Sequence, residues 1–269
     1  MPLTPFQAEV MKSIAANRLP ESHLAGGVVL NRDASSPRYS DDFDIFHDLE
    51  EVVAKCAAKD EASLLRDGYE LRWEVRGGAF HRAIASKGES ALRLEWVHDS
   101  AFRFFPVQPD PLFGYCLHRA DAATNKVLAM ADRTKPRDYV DVLHLDETYL
   151  SVGALVWAAA GKDGGLTPLS ILGYMQRHSR YTEHDFIGQH LRSPADLPAM
   201  KARWLEAVEK ANSLIARLPD EDIGCLYLDA HGLPVTPDPD AAGFAGLVKH
   251  FGCVRGAWPT ISETPKQET

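Results

Sequence analysis

The spacing of apolar residues changes twice along the chain, and each change predicts a different kind of element. Thr4-Pro5-Phe6-Gln7 carries a capping-box pattern with proline at the first helical position, which predicts an opening helix over 5–17. Paired glycines then interrupt an apolar stretch, LAGGVVL, at 24–30. Asp48 is a candidate cap for a helix over 49–66, whose apolar positions recur at helical spacing until Asp67-Gly68. Alternation of period two takes over in YELRWEV (69–75), AFHRAIAS (79–86) and SALRLEWV (90–97). Gly77-Gly78 and Lys87-Gly88 join these runs, so an antiparallel meander is predicted. In its third strand Leu92, Leu94 and Trp96 share one face while Arg93 and Glu95 share the other.

Helical spacing returns over 120–147, broken at Thr134-Lys135-Pro136, where proline begins a second helix. Further helices are expected at 149–161, 167–179, 182–191, 195–217 and 240–251, with a short hairpin at 224–235 turning on His231-Gly232. Trp157, Tyr174, Trp204 and Leu205 are expected to pack into the helical core. The predicted class is therefore α+β: a mixed or antiparallel sheet flanked by helices within residues 1–148, a mostly helical domain over 149–258, and a flexible polar tail at 259–269.

Composition sets the outer limits. A chain of 269 residues with 45% hydrophobic and 25% charged residues has ample material for a core. No apolar run reaches the roughly 18 residues of a membrane span. The start, MPLTPFQAEV, has no basic segment leading into an apolar one, so a cytoplasmic protein without a signal peptide is expected. Cys56, Cys116, Cys225 and Cys253 form no CxxC pair and are expected to be reduced and mostly buried. A net charge of −9 disfavours broad nucleic-acid binding, although Arg133, Lys135 and Arg137 make a local basic surface able to meet phosphates.

Candidate chemistry concentrates near residue 42. In Asp42-Phe43-Asp44-Ile45 an extended backbone sends both carboxylates to one face. Such a pair is either a solvated strand end or a site for a hard divalent cation, Mg²⁺ or Mn²⁺, which would offset the repulsion. Upstream, Gly26-Gly27 leaves room for backbone to approach a phosphate, though paired glycines are also ordinary turn formers. His178, His184 and His190 are six apart and fall on different helical faces, which argues against a metal set. Walker A, GxGxxG and GxSxG signatures are absent.

The order LAGGVVLNR…SPRYSDDFDIF resembles the DNA polymerase β type of nucleotidyltransferase, with a Gly-Gly turn followed by an Asp-x-Asp strand. The likeness is nearest to the AbiEii/AbiGii toxin family, through Arg38, Ser40, Asp42, Phe43 and Asp44 and through a second block, DAATNKVLAMADRTKPRDYVDVLHL, at 121–145. The resemblance implies a polymerase β-like fold over about 20–147 and metal-dependent transfer of a nucleoside monophosphate from a nucleoside triphosphate. Asp42 and Asp44 would hold Mg²⁺ or Mn²⁺, Gly26, Gly27, Arg38 and Ser40 would meet the phosphates, Lys126 would offset their charge, and Asp138 would be the acid near the acceptor. Asp141 would support the fold, and Glu95 stands where relatives carry a third carboxylate, or else pairs an arginine across the meander.

RNA such as a tRNA acceptor end, and a separate antitoxin protein, are the partners the family implies. A small-molecule nucleotidyltransferase of the antibiotic-modifying sort, and a catalytically silent nucleotide- or partner-binding member, are the alternatives. Two departures bear on the silent reading: Val28 stands where many relatives have a hydroxyl residue, and residues 28–41 make a long spacer.

Overall fold

The computed structural model describes residues 3–33 and 35–260. The predicted opening helix is α1 (Pro5–Ile14), with the Thr4–Gln7 capping box in place, continued by a 3₁₀ turn at Ala15–Asn17. Strand β1 (Ser22–Ala25) runs straight into a short helix, α2 (Gly26–Leu30), and β2 (Asp42–His47) carries the acidic pair. Helix α3 (Glu50–Arg66) precedes the meander β3 (Glu70–Arg76), β4 (Phe80–Lys87) and β5 (Ser90–His98). Lys87 pairs with Ser90 across Gly88-Glu89, and Gly88 at φ +62° provides the left-handed conformation of so tight a turn.

Short strands β6 (Phe102–Arg103), β7 (Gln108–Asp110) and β8 (Gly114–Cys116) follow, then helices α4 (Arg119–Asp132) and α5 (Pro136–Thr148), divided at the predicted proline. The main sheet is seven-stranded and mixed, in the order β3-β4-β5-β2-β1-β8-β7. β2 lies parallel to β5 and antiparallel to β1. That pairing places the acidic strand between the glycine turn and the polar face of the meander.

The second half contains α6 (Val152–Ala159), α7 (Pro168–His178) and α8 (Leu197–Ile215). Near 148 the packing does not stop: α4 lies against α5, α6 and α7, and one hydrophobic cluster runs from Val10 to Leu228. The α+β architecture expected from the sequence is the one observed.

Several elements differ from expectation. Asp48 does not cap α3; its carboxylate accepts two hydrogen bonds from Arg103, at 2.8 and 2.7 Å, in a buried pair. Residues 182–191 form only a 3₁₀ turn, Glu183–Phe186, because Gly188 and His190 take positive φ and end helical continuation. The predicted helix at 240–251 is instead a 3₁₀ turn, Phe244–Gly246, followed by strand β10 (Val248–Phe251), which pairs antiparallel with β9 (Cys225–Leu228). The turn at His231-Gly232 exists, but its returning limb makes a single bridge, Leu228 to Pro234. A last strand, β11 (Cys253–Val254), pairs with β6. Trp157 and Trp204 are core residues, whereas Tyr174 and Leu205 are exposed. Cys56, Cys116 and Cys225 are buried, and Cys253 is exposed. Of the tail expected over 259–269, residues 261–269 lie outside the described residues.

Candidate active site

Gly26 lies at φ +66°, and a Cβ there would overlap the Asp44 carboxylate, so both backbone conformation and space demand glycine. A Cβ on Gly27 would stand 2.7 Å from an Arg38 nitrogen and 3.1 Å from Ser40 Oγ. The turn is therefore wedged between the acidic pair on one side and Arg38 and Ser40 on the other. On β2, Asp42 and Asp44 share a face while Phe43 and Ile45 are fully buried. The parallel register sets Arg93 beside Asp42 and Glu95 beside Asp44, and Arg82 of β4 sits opposite Glu95.

These groups open onto a cleft of about 300 Å³ lined by Gly26, Gly27, Asp42, Asp44, Glu95 and Lys126, among others. Arg38, Arg133 and Arg137 also reach its wall, and Phe46 and Phe80 supply apolar surface. Ser40 lies behind the turn, its hydroxyl donating to the Asp42 carbonyl at 3.2 Å. Val28 is buried in the core.

The carboxylates are unequally compensated. Asp42 Oδ2 accepts from both Arg93 and Arg137 at 3.1 Å, and although burial works to raise this group, the two guanidiniums hold it below the usual carboxylate range. Glu95 accepts from Arg82 Nε at 2.8 Å. The Asp44 carboxylate makes no hydrogen bond or ion pair among the described residues. Burial, reinforced by the charges of Asp42 and Glu95, pushes it up to about 7. Both readings of Glu95 thus meet in one place: it flanks Asp44 in the cleft and pairs with an arginine.

Behind the cleft the second sequence block forms a closed ionic network. Lys126 Nζ stands 2.8 Å from Asp138 Oδ1 and 3.1 Å from Asp141 Oδ2. Arg133 Nε donates to the other Asp138 oxygen at 2.9 Å. Arg38 grips Asp141 with two hydrogen bonds, of 2.8 and 2.7 Å, and Asn31 bridges Asp141 Oδ1 to the Gly27 carbonyl at 3.0 Å each. Burial opposes ionisation of both aspartates, but Lys126 with Arg133 at Asp138, and Arg38 with Lys126 at Asp141, keep each below the ordinary range. The network ties α4 and α5 to the glycine turn, which explains the long spacer: it delivers Arg38 to Asp141.

The fold therefore gathers Gly26, Gly27, Arg38, Asp42, Asp44, Glu95 and Lys126 at one cleft, and sets Ser40 and Asp138 just behind it. Arg82 and Arg93 were not singled out as site residues from the sequence, although the alternation of Arg93 with Glu95 already put them on one face. Among the described residues no group of three or more His, Cys, Asp or Glu side chains is arranged to hold a metal ion. Asp42 and Glu95 face arginines instead. The donor set is nonetheless of the right kind for a divalent cation: hard oxygens in adjacent register, with Asp44 left uncompensated between two like charges. His178 contacts the Met130 carbonyl and His190 lies 3.6 Å from Asp41, so the histidines do not converge.

The family described as "Nucleotidyl transferase AbiEii toxin, Type IV TA system" matches residues 11–214. No curated protein matches. Among solved structures, a putative nucleotidyltransferase from H. pylori superposes with a TM-score of 0.55 at 18% identity, covering 81% of this chain and 99% of its own. JHP933 from Helicobacter pylori gives 0.53 at 18%, with 80% and 95% covered. MenT4, a nucleotidyltransferase toxin from Mycobacterium tuberculosis H37Rv, gives 0.55 at 19%, with 80% and 83% covered. At such identities the structural likeness speaks for the fold.

Proposed function

Because the chain belongs to the AbiEii nucleotidyltransferase toxin family of type IV toxin–antitoxin systems, we propose that it moves a nucleoside monophosphate from a nucleoside triphosphate to an acceptor hydroxyl, with RNA as the acceptor. The observation that carries this reading is the parallel β2–β5 register, which sets Asp42, Asp44 and Glu95 side by side opposite Gly26-Gly27 and Lys126.

Asp42, Asp44 and Glu95 would hold Mg²⁺ or Mn²⁺, which when bound neutralises charge at the reacting phosphate. The chain's own groups do the rest. Gly26 and Gly27 line the cleft with backbone, which would meet phosphate oxygens there. The Lys126 ammonium lines the cleft and offsets triphosphate charge, while Asp138 and Asp141 hold it in place. Both Asp138 oxygens are engaged by cations and the group is held ionised, which suits it to positioning Lys126 and Arg133 better than to accepting the acceptor's proton. Arg38 and Ser40 shape the turn from behind.

The neighbouring wall bears Arg82, Arg93, Arg133, Lys135 and Arg137 against Asp41, Asp42, Glu95 and Asp185, an excess of positive charge that favours an anionic acceptor over one of the cationic antibiotic type. The family also implies a separate antitoxin, and no helix among the described residues is long and apolar enough to cross a membrane. Incubating the protein with Mg²⁺, each labelled nucleoside triphosphate and total RNA tests the reading. Label in RNA supports it, label only in small acceptors favours the antibiotic type, and nucleotide binding without transfer marks a silent member.

A further inference from the structure

The cleft shares Asp42, Glu95, Arg133 and Arg137 with a second, wider recess of about 570 Å³, and the two differ in their other cations. Arg38 and Lys126 line only the cleft, Arg133 and Arg137 line both, and Arg82, Arg93 and Lys135 line only the recess. The recess sets Arg82, Arg93, Arg133, Lys135 and Arg137 against Asp41, Asp42, Glu95 and Asp185, a cationic excess in a chain whose net charge is −9, and an arriving anion would compete with those carboxylates for the guanidiniums. Arg93 is the connecting residue. It donates to Asp42 Oδ2 at 3.1 Å, its Nε stands 3.5 Å from Glu95 Oε1 without forming a hydrogen bond, and its side chain is 37% exposed. Asp42 Oδ2 also carries Arg137, so two guanidiniums crowd one carboxylate oxygen. A planar fork held this loosely is available to an anion offering two oxygens in better geometry.

Resting on the nucleotidyl-transfer reading, we infer that Arg93 binds the phosphate adjacent to the acceptor's attacking hydroxyl. In the free protein it is parked on Asp42 and Glu95, and it exchanges onto that phosphate when the acceptor enters. The acceptor is then one whose hydroxyl has a phosphodiester neighbour. Arg93 also competes for the carboxylate oxygens that a divalent cation would use, so its removal frees them.

The test compares wild type with Arg93→Met and Arg93→Lys in direct binding measurements. The probes are a labelled six-nucleotide single-stranded RNA with a free 3′ hydroxyl, a non-hydrolysable nucleoside triphosphate with Mn²⁺, and Mn²⁺ alone followed by electron paramagnetic resonance. For Arg93→Met the RNA should bind about tenfold more weakly, with a salt dependence shallower by about one phosphate contact. Arg93→Lys should recover part of that loss, Mn²⁺ alone should bind Arg93→Met several-fold more tightly than wild type, and triphosphate affinity should not fall. Unchanged RNA affinity and salt dependence in Arg93→Met would overturn the assignment, as would a loss confined to the triphosphate. If wild type binds no triphosphate, nucleotidyl transfer fails as a reading, yet the RNA arm still decides the role of Arg93. Circular dichroism confirms that each variant is folded.

Discussion

The two acidic pairs of this protein lie within one site and are treated in opposite ways. Asp138 and Asp141 are held among Lys126, Arg133, Arg38 and Asn31, with both carboxylates fully paired, one cation in excess and both carboxyls held low. Asp42 and Asp44 face a cleft, share their space with Glu95, and leave Asp44 at about 7 with no ion pair among the described residues. One pair is completed by the fold. The other is left for a ligand to complete, and such a mismatch marks where binding energy can enter.

The largest effect should come from the completed pair. Asp141→Ala strips Arg38 of its bidentate partner and leaves a guanidinium that is 1% exposed without its counter-charge. Breaking a buried ion pair from one side costs about 3–5 kcal/mol. Urea unfolding should show a loss of that size; a loss under about 1 kcal/mol would mean the network does not hold the two blocks together.

The same kind of change at the incomplete pair should hit function and spare the fold. Asp44→Asn should cut nucleotide transfer by on the order of 10³-fold, or about 4 kcal/mol of barrier. It should leave stability equal or higher, since it removes a repelled charge. Retained transfer would dismiss the role given to Asp44.

Acidity separates the pairs more finely. The Asp44 carboxyl is raised from its ordinary value near 4 to about 7, so the folded chain holds this proton more tightly than the unfolded chain does. The resulting stability is fully present below about pH 4 and is lost as pH climbs towards 7. Metal-free wild type should therefore lose melting temperature relative to Asp44→Asn across that window, by a few degrees, as ~1 kcal/mol moves the midpoint of a chain this size by about 2–4 °C. Mn²⁺ at pH 8 should narrow the gap. Parallel profiles for the two proteins would show that Asp44 ionises normally.

Legibility from sequence divides along a similar line. The meander and the acidic strand were readable because alternation and turn glycines are local: Leu92, Leu94 and Trp96 point inward whatever lies elsewhere. The glycine turn, Asp42, Asp44 and Lys126 could be placed by their order in two blocks. Partner choice over long range could not. Asp48 looks like a helix cap until Arg103, 55 residues away, claims its carboxylate. Val248–Phe251 becomes a strand only because Cys225–Leu228 offers it an edge, overriding the helical spacing of 240–251. The same limit hid Arg93, whose place beside Asp42 comes from the parallel β2–β5 pairing, whereas Arg82 is the arginine across the meander that Glu95 was expected to meet.

Glu95 offers the smallest and most discriminating effect. If it serves only to pair with Arg82, whose side chain is 35% exposed, Glu95→Gln should be nearly silent, because ion pairs open to solvent contribute about 0–1 kcal/mol. If it belongs with Asp42 and Asp44, the same substitution removes a charged oxygen donor and should weaken Mn²⁺ binding about tenfold, or ~1.4 kcal/mol. It should also relieve Asp44, drawing that group back towards the ordinary range, since Glu95 is one of the charges that raises it. Calorimetric Mn²⁺ titration and the pH dependence of melting read these two consequences separately. Weaker binding with a lowered Asp44 titration makes Glu95 part of the incomplete set. Unaltered Mn²⁺ affinity confines it to holding Arg82, and the contrast between the two acidic pairs then rests on Asp42 and Asp44 alone.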